Sequence, residues 1–275
     1  MIKKIIACAD VHIRNLRRHE EYQAQLNKFV ADCKKYAEEY GPEQIRIVVA
    51  GDLLHNKLDI SGEGYIIASW FIRQLSSIAK TIIIAGNHDM NMRNLSRLDP
   101  ISAIFSMSKF DNAMYLDKEL DYESGYLVDE NVTWCLYSTF DNFARPNIEE
   151  AKALNPDNVT VGLFHGELKS AKTDVGYVSE NGYEASYFEG LDFAILGHIH
   201  KRQCIKNDGV PLVYCGSLIQ QDHGENIHGH GYVVWDLDTL KYEEVDLPNE
   251  GFGYYTFSVN DIEDIDEDSE ELLNL

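Results

Sequence analysis

Ile82-Ile83-Ile84-Ala85-Gly86-Asn87-His88-Asp89 is the stretch that decides the fold. A short apolar run rich in β-branched residues reads as a strand buried on both faces. The Gly and the three polar residues then fall in the loop beyond its C-terminal end, where parallel α/β proteins gather their chemistry. The same design recurs four times. Ile5-Ile6-Ala7-Cys8-Ala9 runs into Asp10-Val11-His12, and Ile47-Val48-Val49-Ala50 runs into Gly51-Asp52-Leu53-Leu54-His55. Val161-Gly162-Leu163-Phe164 runs into His165-Gly166, and Phe193-Ala194-Ile195-Leu196 into Gly197-His198-Ile199-His200.

Working outward, Glu20 to Glu39 carries Leu26, Phe29, Val30, Cys33 and Ala37 at helical spacing and stops at Gly41-Pro42. Ser61 to Ser77 repeats the pattern with Ile66, Ile67, Trp70, Phe71 and Leu75. With strands at 2–9, 45–50 and 81–85, the first third reads strand-helix-strand-helix-strand, a parallel sheet with right-handed crossovers. A short helix is expected over 96–106, interrupted at Pro100. Residues 113–116, 125–129 and 132–138 read as hairpin strands, and Asn147 caps a helix to Leu154. Residues 167–190 form a long Gly-, Ser- and Tyr-bearing connection, of a length that is functional or mobile. Residues 202–206, 211–215, 230–236 and 241–246 read as strands of a second sheet.

The net charge of −22 counts against a protein that holds nucleic acid by bulk electrostatics. Bound divalent cations would offset it locally, and many of the acids lie in the stretch from Asn260 to Leu275. That stretch reads as a solvated end or as the opening of a further domain. No apolar run approaches the roughly 20 residues that span a bilayer. The lysines at 3 and 4 before an apolar run ending in Cys8 suggest a lipoprotein signal, but Asp10 and His12 interrupt it at once, and a first strand is the better reading. The five cysteines form no C-x-x-C pair and are odd in number, which fits reduced core cysteines in a cytosolic protein.

Asp10, His12, Asp52, Asn87, His165, His198 and His200 offer imidazole nitrogens and oxygens, a set suited to Mn²⁺, Fe²⁺ or Zn²⁺. They are too many for one ion and enough for two, with Asp52 able to bridge. Two such ions clamp the attacking and leaving oxygens of a phosphate ester.

The five segments, spelled D-x-H, G-D-x-x-H, G-N-H-D, a lone H and G-H-x-H, resemble the calcineurin-like metallophosphoesterase superfamily. The resemblance implies a four-layer α/β sandwich of two mixed sheets flanked by helices. It implies Asp10, His12 and His200 on one metal, Asn87, His165 and His198 on the other, and Asp52 shared. It also implies His88 as the general acid, with Asp89 holding its imidazole in the working tautomer. A metal-free scaffold of the same fold would have lost ligands; none is missing here.

The protein-phosphatase branch carries Asp-Arg-Gly after the second motif and G-N-H-E at the third. This chain has Leu54-His55-Asn56-Lys57 and G-N-H-D. His55 and the segment Tyr214-Cys215-Gly216-Ser217 followed by Gly224-Glu225 resemble instead the SbcD-type subunit of the double-strand-break repair nuclease, over residues 1–250. His223 departs from that branch, where Phe is usual. The resemblance implies a Mn²⁺-dependent exonuclease on duplex ends and endonuclease on single strands. It implies DNA and an SMC-like ATPase (SbcC in bacteria) as partners, a homodimer, and a cytoplasmic or, in a eukaryote, nuclear setting. His55 would position the strand, or only hydrogen-bond behind the ligands. Arg14, Arg17, Lys57, Arg93 and Lys201 fall near motifs and are candidate DNA contacts. Residues 251–275 would be an acidic tail or the start of a capping domain, with a first strand over Phe252–Val259. Leu98, Ile101, Ile104, Phe105 and Met107 would form a dimer face or a plain core face. The alternatives are a small-molecule phosphodiesterase, for example on cyclic nucleotides, and a dormant DNA-end-binding scaffold.

Overall fold

The structure is a computed structural model that describes residues 1–255 apart from Leu58, Met92, Leu95, Asp208 and Glu250. The acidic stretch from Asn260 onward and residues 256–259 of the expected capping strand lie outside the described residues; residues 252–255 form no strand.

β1 (Lys4–Cys8), β2 (Ile45–Ala50) and β3 (Lys80–Ile84) lie side by side and parallel, joined by α1 (His19–Tyr40) and α2 (Gly62–Ile78). Their alternate residues serve two cores. Ile6, Cys8, Ile47, Val49 and Ile83 pack against Leu26, Phe29, Phe71 and Leu75 of the helices. Ile5, Ala7, Val48, Ala50, Ile82 and Ile84 face the second sheet. This double burial is why the runs read as continuously apolar. Ser61 caps α2 by accepting from Gly64 N at 3.2 Å.

α3 (Pro100–Met107) begins four residues later than the periodicity suggested. Asp99 accepts from Ser102 N at 2.7 Å, which makes it the cap. Pro100 therefore starts the helix rather than interrupting it, because its missing N–H costs nothing in the first turn. Ile101 and Ile104 belong to the core, while Leu98 and Met107 are exposed. β4 (Ala113–Tyr115) is a second correction. It pairs in parallel with β3 as the edge of the first sheet and is no hairpin arm.

α4 (Leu116–Glu119) leads to β5 (Gly125–Asp129) and β6 (Val132–Tyr137), a true antiparallel hairpin. α5 (Ile148–Leu154) is capped by Asn147, which accepts from Glu150 N at 3.1 Å. β7 (Val159–His165), β8 (Phe193–Gly197), β9 (Gln203–Asn207) and β10 (Val210–Tyr214) complete a sheet in the order β5-β6-β7-β8-β10-β9. β11 (Gly231–Asp236) and β12 (Lys241–Asp246) correct a third expectation: they return to the first sheet, whose order is β12-β11-β1-β2-β3-β4, instead of extending the second. β11 takes the free edge of β1, with Ile5 opposite Trp235.

The two mixed six-stranded sheets pack face to face over a core in which Trp235 of the first stacks on Phe193 of the second, ring centroids 3.8 Å apart. α1 to α3 cover one outer face. α5 and the 185–188 turn cover the other, over Tyr137, Phe164, Leu196 and Tyr214. This is the four-layer α/β sandwich expected.

Candidate metal centre

β1, β2, β3, β7 and β8 all end at one edge of the sandwich, and each delivers its polar residues there. The loops interlock through the backbone: Asp10 N donates to Gly51 O and His12 N to Asp52 O, at 3.1 and 2.9 Å. Asp10, His12, Asp52 and His198 adopt positive φ of 51°, 51°, 52° and 93°, a conformation that costs non-glycine residues energy and clusters at functional sites. Two glycines make the close approach possible. A Cβ on Gly86 would lie 2.1 Å from Asp52 Oδ1, and one on Gly197 would lie 2.2 Å from Ala50 O.

All seven expected ligand residues meet in this pocket. His12 Nε2 lies 3.1 Å from His200 Nε2, 3.4 Å from Asp52 Oδ2 and 3.9 Å from Asp10 Oδ1. His165 Nε2 lies 3.2 Å from Asp52 Oδ2, and His198 Nδ1 lies 3.0 Å from Asn87 Oδ1. Asp10 with His12 and His200, and Asp52 with His165 and His198, form two clusters whose donor atoms all lie within 4.8 Å of one another.

The electrostatics are those of a cation site. Asp10, Asp52 and His165 are buried. Burial, with Asp52 beside it, pushes Asp10 up to about 6. Burial would raise Asp52 too, but His165 and His12 outweigh it and hold that carboxylate below its ordinary range. Burial opposes a charge on His165, yet Asp52 and Asp10 raise it to about 10. Burial lowers His198 to about 4, and it lowers His12 well below its usual value. Paired buried carboxylates thus demand positive charge at their centre, and among these imidazoles a proton is the only source the chain itself supplies.

The donor set fits divalent cations. His165 Nδ1 donates to Ala50 O at 2.8 Å, which leaves the buried Nε2, 3.2 Å from Asp52 Oδ2, as the nitrogen that would bind an ion in place of a proton. Two ligands at about 2.1 Å from one ion stand about 3 Å apart when they subtend a right angle, which is the spacing of the His12 and His200 nitrogens. Glu225 was not singled out by the sequence as a site residue. Its Oε1 lies 2.5 Å from His200 Nδ1 and its Oε2 accepts from Gln221 N at 2.7 Å, so it orients His200 in the way a carboxylate fixes a ligating imidazole. Its position 25 residues beyond His200 gave no ligand spacing; the only signal was Gly224-Glu225 within the segment that resembles the nuclease branch.

His88 and His55 stand beside this centre, their rings stacked 5.2 Å apart, with His12 4.8 Å from His88. The pairing of Asp89 with the His88 imidazole does not occur. Asp89 is buried and accepts from Leu53 N, Leu54 N and Gly86 N at 3.1, 2.9 and 3.0 Å, stapling two loops together. Its side chain is committed to backbone, and His88 Nδ1 donates instead to His55 O at 2.6 Å. Burial lowers His55 to about 4, with the charges of Arg14, His88 and Arg17 adding to it, and Arg14 Nη2 donates to Gln221 O at 3.0 Å. Lys57 is half-buried in the same loop, and Arg93 is exposed in the loop after Met90. Lys201 lies on the opposite flank and is paired with Asp174 at 3.1 Å.

Residues 4–240 match the calcineurin-like phosphoesterase superfamily domain. An uncharacterised protein of Acanthamoeba polyphaga mimivirus is 35% identical over 269 residues, which is 94% of this chain and 19% of the viral protein. The chain therefore spans about a fifth of the length of that curated relative. Among solved structures, an archaeal phosphodiesterase is similar with a TM-score of 0.44 and 12% identity, over 89% of this chain and 99% of that one. A hypothetical protein from Pyrococcus horikoshii OT3 is similar with a TM-score of 0.46 and 12% identity, over 91% of this chain and 90% of that one. Among the described residues no helix is long and apolar enough to cross a membrane.

Proposed function

The chain belongs to the calcineurin-like phosphoesterase superfamily, and from that premise we propose that it is a two-metal DNA nuclease, with Mn²⁺ as the working ion. Asp10, His12 and His200 would hold one ion and Asn87, His165 and His198 the other, with Asp52 between. When bound, the ions supply Lewis-acid charge at the scissile phosphate.

The chain's own groups do the rest. The His55 carbonyl accepts the Nδ1 proton of His88, so the proton His88 can exchange is on Nε2. Protonated, His88 passes that proton to the leaving oxygen. Asp52 Oδ1 accepts from His88 N at 2.7 Å and locks the loop that carries it. Glu225 fixes the ring of His200.

The observation that supports nucleic acid over other phosphoesters is the His55 ring stacked on His88 beside the centre, together with half-buried Arg14 and exposed Arg17 in the loop after the first motif. They offer two cations and a flat ring where a strand would lie. The same reading carries action on duplex ends and single strands, a DNA repair or recombination role beside an SMC-like ATPase, and a homodimer. The net charge of −22 favours a second reading, a phosphodiesterase of small nucleotides.

Cleavage of single-stranded and duplex DNA with Mn²⁺, Mg²⁺ or chelator separates them. The nuclease reading expects metal-dependent cutting that falls at least about 100-fold in His88→Ala with bound metal unchanged. Turnover of bis-p-nitrophenyl phosphate with intact DNA would overturn it in favour of the small-molecule reading.

A further inference from the structure

Against His198 and His200 lies a cavity of about 470 Å³ whose lining includes neither His55 nor His88. It is lined by His198 and His200 of the centre, by Asp222 and Glu225, and by Glu167 with the 173–177 tip of the long connection. The volume falls within the roughly 300–1,000 Å³ of small-ligand sites. The connection is firmly built. Leu168 bridges to Tyr183 and Lys172 to Val178, Thr173 N donates to Tyr177 O at 3.0 Å, and Gln203 clamps the backbone of Lys172. This framework holds Val175 and Tyr177 at the mouth, 71% and 52% exposed.

The lining chemistry is specific. Lys201 is paired with Asp174, so the cation nearest the cavity is already neutralised. Glu167 and Asp222 add carboxylates, and Thr173 Oγ1 is buried without a hydrogen-bond partner. A second phosphate would be repelled here. An uncharged group rich in N–H and O–H donors, with a flat face to lay on a tyrosine, would be held.

We propose that this cavity is a nucleoside subsite, which seats the base and sugar next to the scissile phosphate while the phosphate chain runs out over the His55 and Arg14 flank. The proposal rests on the nucleotide-phosphoester reading above and adds the side of the centre on which the nucleoside lies. Tyr177 is its stacking platform.

Two measurements test it on the whole chain. In the first, the specificity constants for thymidine 5′-p-nitrophenyl phosphate and bis-p-nitrophenyl phosphate are compared. The parent is expected to prefer the nucleoside ester. That preference falls about tenfold in Tyr177→Ala, the loss of one base–aromatic stack, and is retained in Tyr177→Phe. In the second, binding of uncharged thymidine to chelator-treated protein is followed by saturation-transfer NMR, and it is expected in the parent and Tyr177→Phe but not in Tyr177→Ala. An unchanged preference in Tyr177→Ala, or a parent with neither preference nor thymidine binding, overturns the subsite. DNA cleavage run alongside separates the two ideas. DNA cut with an unchanged preference in Tyr177→Ala sinks the subsite alone, whereas thymidine selectivity with DNA left intact sinks the nuclease and keeps the subsite.

Discussion

Asp89 and His88 adjoin in sequence, but one holds backbone and the other faces the centre. Asp89→Ala leaves three buried N–H groups without an acceptor and should cost about 2–4 kcal/mol, read as a lower urea midpoint. His88→Ala should cost about 1 kcal/mol or less in the same measurement, its loss appearing in turnover. Asp117 offers a pH test on a carboxyl outside the ligand set, behind the loop that carries Asn87. It is buried, accepts from Ala85 N at 2.8 Å and Ser138 Oγ at 2.6 Å, and burial raises it from 3.8 to about 6. A carboxyl raised in this way binds its proton more tightly in the folded chain than in the unfolded one. Stability therefore falls as pH rises from about 4 to about 6 and stays lower above that. Asp117→Asn should remove this dependence. Its advantage over the parent, measured by urea unfolding, should grow across that window by on the order of 3 kcal/mol and then level off.

At the scale of the element, the site is made by strand ends that approach closer than side chains allow. Gly197→Ala places a Cβ 2.2 Å from Ala50 O and 2.6 Å from His165 Nδ1, so it must displace the bond that fixes the His165 tautomer. The expected outcome is a loss of about 1–3 kcal/mol together with weakened metal binding, followed by unfolding and by metal titration. The strand ends were legible because apolar runs buried on both faces stand out and their terminal residues carry the ligand chemistry. What lies between them was less so. The strand pattern of 231–236 and 241–246 marks extended chain but not its partner, so their return to the first sheet was invisible. The start of α3 turned on a single cap, Asp99, and the duty of Asp89 on backbone donors that no residue pattern encodes. Glu225 reaches His200 only through the turn at 221–225, which brings together groups that the spacing keeps apart.

The whole molecule joins two sheets whose loops share one charged centre, so ligand binding and folding are linked. Divalent cations at 100 times their dissociation constant should raise stability by about 2.7 kcal/mol for each site. A chelator should lower the calorimetric midpoint, and an unchanged midpoint would count against ions bound by the folded state alone. The strand order carries a further consequence. β1 lies between β2 and β11, and Ile5 finds its β11 partner, Trp235, only after 230 further residues. On a ribosome that adds about 5–20 residues per second, β1 waits on the order of ten seconds or more for β11, with one hydrogen-bonding edge bare. Asp10 and His12 cannot meet His198 and His200 until the intervening stretch, 188 residues from Asp10 to His198, has left the tunnel. The centre is thus completed only once β8 and the loop after it have been made, and until β11 follows the open edge of β1 is exposed to pairing with a neighbour.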